Sequence, residues 1–134
     1  MKIWNSFGSE HSANLVIIGK FKEIQDAQGA INTLDALAEI ATRELDALLA
    51  GKVPESVLDA AMKHKTTDMG PSDFEGLAYD HHWSLEGSSL VATTEESNIQ
   101  GILKVLLRYA AKIEVYSAHN HPSRHGRPTY ESED

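Results

Sequence analysis

The chain has 134 residues, 41% hydrophobic and 24% charged, with no cysteine and a net charge of −8; this is one domain able to fold without disulfides, and thiolate zinc sites and thiol catalysis are excluded. Twenty acidic against twelve basic side chains oppose the attraction to phosphate that dominates nucleic-acid affinity, which argues against nonspecific DNA or RNA binding. No apolar run approaches the roughly 20 residues of a membrane-spanning helix, and Met1 to Asn5 lacks a secretory apolar core, so a cytoplasmic protein with no membrane partner is expected.

Residues Met1 to Phe7 alternate Ile3, Asn5 and Phe7 against Lys2, Trp4 and Ser6, the period of two that marks a short strand or extended arm. Turn chemistry follows at Gly8 to Ser12. The next stretch, Asn14 to Phe21, holds the apolar run Leu15-Val16-Ile17-Ile18, too short for a helix and rich in β-branched residues. A central strand covered on both faces is expected there.

The period then changes. Ala27, Ile31, Leu34, Ala38, Ala41, Leu45 and Leu48 recur at three- and four-residue spacing, which predicts a long amphipathic helix, capped by Asp26 and stopped by Gly51. Gly29 lies early in it, where the missing side chain would permit close packing on the sheet. The acidic positions Asp35, Glu39 and Asp46 read as a solvated face. Pro54 opens a second helix through Val57, Leu58, Ala61 and Met62, and its end, Lys63-His64-Lys65, places cations where the helix dipole favours them. A loop from Thr66 to Pro71 precedes Ser72 and Glu75, a capping-box pair for one short helix.

From Tyr79 to Glu86 the period is two again, and Gly87 turns the chain back into Leu90 to Thr93 as a hairpin partner. Ser97 with Gln100 forms a second capping-box pair ahead of Ile99, Ile102, Leu103, Leu106 and Ala110 at helical spacing. Ile113 to Ala118 alternates as a last strand. The order of strand, helices, strand, strand, helix, strand predicts an α+β fold, a ferredoxin-like split β-α-β sandwich with an antiparallel sheet, helices on one face and an extra N-terminal strand or arm. One domain is expected over residues 1–121, and the polar, aperiodic residues 122–134 are expected to be a disordered tail.

That topology gathers histidines. The start of the first strand, the start of the second and the end of the fourth share one rim, which collects His11, His81 with His82, and His119 with His121. The second and fourth strands lie at opposite edges, about 14 Å apart at roughly 4.8 Å per strand, so His81 and His119 are too distant to share an ion. His11, His119 and His121 remain as candidate ligands for a divalent metal; no other cofactor is expected.

Two resemblances bear on function. Gly8 to Gly19, then Gly70-Pro71-Ser72-Asp73-Phe74-Glu75 with Ala78-Tyr79-Asp80, and finally Glu114 to His119 resemble small uncharacterised bacterial proteins grouped as a domain of unknown function. This likeness covers nearly the whole chain to about His119 and implies a self-contained bacterial domain with no known activity. Locally, His119-Asn120-His121-Pro122-Ser123 is similar to the His-x-His-Pro segment of JAMM-type zinc metallopeptidases, which implies a zinc pair at His119 and His121. At that pattern's spacing Thr129 stands where the Ser belongs and Ser132 where the Asp ligand belongs, so the third ligand is missing.

No motif names a reaction. The strands offer large apolar side chains on both faces, Trp4 opposite Ile3 and Phe7, and Tyr116 opposite Val115, while helices cover only one face. A small binding or interaction domain is therefore expected, working as a homodimer or in a larger complex through the second face. The alternative is a metal-dependent or small-molecule enzyme using the histidine rim.

Overall fold

A computed structural model describes residues 14–79 and 81–117. The N-terminal arm, the C-terminal tail and the candidate ligands His11, His119 and His121 lie outside the described residues. The apolar run forms strand β1, Asn14–Lys20. It is central, pairing antiparallel with β3 (Ser89–Glu95) on one side and with β4 (Lys112–Ser117) on the other. Strand β2 (His82–Glu86) pairs antiparallel with the far edge of β3, so the order is β2-β3-β1-β4. This is the order expected of the split β-α-β arrangement, and it sets β2 and β4 at opposite edges.

Alternation sorts the strands into two faces. Ile17 registers with Ala92 on one side and Val115 on the other, and Ala92 registers with Trp83; this row points toward the helices. Val16, Val91 and Tyr116 point away. Val16 is only 1% exposed and Val91 7%, so the middle of β1 is covered on both faces, as its unbroken apolar run demands.

The predicted long helix is α1, Ile24–Arg43, followed after the single non-helical residue Glu44 by α2, Leu45–Leu49. Its buried stripe is Ala27, Ala30, Thr33, Leu34, Leu37, Ile40 and Ala41, packed with Ile17, Leu48, Phe74, Leu90 and Leu106 in one core. Helix α3, Glu55–Lys63, buries Val57 and Ala61 but leaves Leu58 and Met62 exposed. Helix α4, Pro71–Gly76, starts before the expected Ser72, because the Gly70 N–H donates to the Asp73 carboxylate at 2.9 Å and Pro71 occupies the first turn. The other expected caps are also absent: no side chain caps α1 at Glu23, and Ser97 lies in a 3₁₀ turn, Glu96–Asn98, ahead of α5, Ile99–Arg108.

Close helix approach places an ion pair between α4 and α5. A Cβ on Gly101 would stand 2.5 Å from the Asp73 carbonyl oxygen, so only glycine lets α5 lie against α4 here. One turn later Lys104 reaches the Asp73 carboxylate at 2.8 Å and the Asp68 carbonyl at 3.1 Å. The Asp73 hydrogen bond holds the Lys104 ammonium above its usual range, with burial opposing.

Candidate ligand cleft

Three elements meet at Thr33, midway along α1. Thr33 is a polar residue in the apolar stripe of α1 and is 1% exposed. Its hydroxyl lies 2.8 Å from the Tyr109 hydroxyl, just past the end of α5, and 3.2 Å from Nδ1 of His64, just past the end of α3. The hydrogen bonds can run from Tyr109 to Thr33 and from Thr33 to Nδ1, with the His64 proton on Nε2, or in the reverse direction from Nδ1–H through Thr33 to Tyr109. Burial, and then the neighbouring Lys63 charge, push the His64 pKa below 6.5, which favours the neutral ring. The expectation of a charged helix-end histidine is thus replaced by a half-buried neutral one.

Gly29 seats the tyrosine. A Cβ there would stand 2.8 Å from Cε1 of Tyr109, so the close packing foreseen for this glycine is against an aromatic ring rather than the sheet. Glycine's helix penalty of about 1 kcal/mol is accepted one turn before Thr33. The phenol then lies along α1 and brings its oxygen to the threonine.

Beside the triad is an open, mostly polar cleft of about 440 Å³ lined by Lys63, His64, Lys65, Arg108 and Tyr109. Its cations come from two helix ends of the same design. At α3 the Lys65 N–H donates to the Met62 carbonyl and the Thr66 N–H to Ala61; at α5 the Ala110 N–H donates to Leu107 and the Ala111 N–H to Leu106. Both are Schellman endings, which require a left-handed residue after the helix. Lys65 and Ala110 supply it at φ 59° and 61°, at a cost of about 1–2 kcal/mol for a residue with a Cβ.

Of the predicted histidine rim, His81 and His82 lie among the described residues. His81 stacks on Trp83 with ring centroids 3.8 Å apart, and its Nε2 lies 2.9 Å from the Leu77 carbonyl. Trp83 in turn donates to Asp35 at 2.7 Å, so Asp35 ties α1 to β2 and is not merely solvated. A second cleft of about 440 Å³ does open on that rim, lined by Ala78, Tyr79, Glu95, Ser97 and Asn98. Tyr79 donates to Glu75 at 2.8 Å, and that hydrogen bond raises the phenol's pKa. Among the described residues no group of three or more histidine or carboxylate side chains is placed to hold a metal ion.

Thr33 and Tyr109 escaped the sequence reading. The signal for Thr33 was a hydroxyl at a stripe position, three residues after Ala30 and four before Leu37. Nothing local marks Tyr109, whose role depends on a glycine 80 positions away.

Among the described residues no helix is long and apolar enough to cross a membrane. No curated protein and no solved structure matches the sequence. A family model does, over residues 1–127, and its description is a family of unknown function. The chain belongs to that family, DUF6375.

Proposed function

We propose that this protein is a binding domain and that its ligand is a small molecule held in the cleft between the ends of α3 and α5. The observation that carries the reading is the triad of Thr33, His64 and Tyr109, a polar network fixed by a buried hydroxyl and opening on that cleft. Buried polar networks cost stability unless every member is satisfied, and this one occupies a stripe position that an aliphatic residue would fill. A thermal-shift screen of small metabolites tests it. The expected result is a compound that raises the melting temperature of the wild type but not of Tyr109→Phe; stabilisation that survives this substitution unchanged would place the ligand elsewhere.

A second reading is that the domain works as a homodimer or within a larger complex through the sheet face turned away from the helices. Tyr116 favours it, being 39% exposed on that face. Burial of Val16 and Val91 on the same face weighs against a large apolar interface. Light scattering at micromolar concentration separates the cases: a mass of 14.7 kDa, independent of concentration, would rule out the dimer.

A further inference from the structure

Three of the five residues lining the cleft, Lys63, Lys65 and Arg108, are cations and none is a carboxylate, although the chain as a whole carries −8. Among the described residues none of the three forms an ion pair. We infer, resting on the reading of this cleft as the ligand site, that its ligand is a small phosphate ester whose phosphate sits between these cations. Arg108 offers the planar fork that matches an oxyanion, and lysines add compact charge. With Thr33 donating to Nδ1, the neutral His64 carries its proton on Nε2 and adds a donor.

The plain alternative is that the cations serve the helices. Basic residues are favoured in a last turn, and Lys63 and Arg108 are the last residues of α3 and α5. Lys65 is different. It lies beyond the helix, exposed, at φ 59°, where glycine would be easier; the chain does place glycine at the matching position after α2, Gly51 at φ 81°. A lysine kept at that cost points to a use for its charge. The adjoining depression shares Lys65 and Arg108 and adds Lys104 and Asp68, but Lys104 is already paired with Asp73 at 2.8 Å. The phosphate is accordingly assigned to the His64 and Tyr109 side.

Inorganic phosphate and pyrophosphate, titrated into the full chain at constant ionic strength and followed by amide chemical shifts, provide the test. Shifts are expected at His64, Lys65, Arg108 and Tyr109, with the pyrophosphate affinity falling about tenfold in Lys65→Gly, the loss of one charge-assisted contact. That variant should melt no lower than the wild type, so the loss is not one of folding, and Ala110→Gly should bind as the wild type does. Equal pyrophosphate affinity in Lys65→Gly and wild type would overturn the inference. If the anions leave these amides unmoved while an uncharged compound moves them, the phosphate assignment falls and the cleft reading stands; if both leave them unmoved, both fall.

Discussion

Helix α2 and the two helices that end at the cleft stop in the same way and with different residues. After α2, the Gly51 N–H donates to Leu48 and the Lys52 N–H to Ala47, with glycine in the left-handed position and open space around it. After α3 and α5 the same bonds are made with Lys65 and Ala110 in that position. The hydrogen bonds satisfy the orphan carbonyls equally well, so the difference is one of backbone strain, concentrated where the cations and the buried triad meet. Strain of this kind persists where surrounding structure holds it and clusters at functional sites. For Ala110 nothing in the structure explains the choice over glycine.

The strongest way to break the comparison is to remove the cleft's floor. Gly29→Val would drive a branched side chain into the Tyr109 ring, and overpacking of this kind costs about 2–3 kcal/mol; urea denaturation should show that loss. A variant as stable as the wild type would mean that Tyr109 does not rest on α1. Thr33→Val is milder, leaving the His64 and Tyr109 polar groups without their shared partner at a cost of about 1–2 kcal/mol.

The triad also gives stability a pH dependence. His64 has a folded-state pKa below its ordinary 6.5, so between the two values the unfolded chain binds more protons than the folded one. Its contribution is complete above pH 6.5 and is lost as pH falls through the folded value. The melting-temperature gap between wild type and His64→Gln should therefore narrow from pH 7.5 to pH 5. A gap that stays constant or widens would contradict the lowered His64 pKa.

Exchanging residues at the three helix ends sharpens the contrast directly. Lys65→Gly and Ala110→Gly should each stabilise by about 1 kcal/mol, and Gly51→Ala should destabilise by a similar amount, because only glycine adopts positive φ without Cβ strain. Thermal melts that move all three the same way would remove the distinction. The smallest effect is expected outside the cleft: Asp35→Ala breaks an exposed hydrogen bond to Trp83 and should cost about 0.5–1 kcal/mol, with the pyrophosphate affinity unchanged.

The sequence by itself determined the α+β order, the central strand and the long helix. The strand and the helix each rest on a period that local residues set, the run Leu15 to Ile18 and the stripe through Leu34 and Ala41, but the long helix ends at Arg43, and Gly51 stops the short α2 instead. It also carried the family likeness that the match over residues 1–127 bears out. Helix starts were less legible, because Gly70 with Asp73 and Pro71 capped α4 in place of the Ser72 and Glu75 pair. The cleft was decided only by tertiary structure. Gly29, Thr33, His64 and Tyr109 are spread over 81 positions, in α1 and just past the ends of α3 and α5, and none has a local pattern that demands the others. Their meeting follows from how α3 and α5 pack against α1, since a hydrogen bond of 2.8 Å is fixed by packing across the core and leaves no period in the chain.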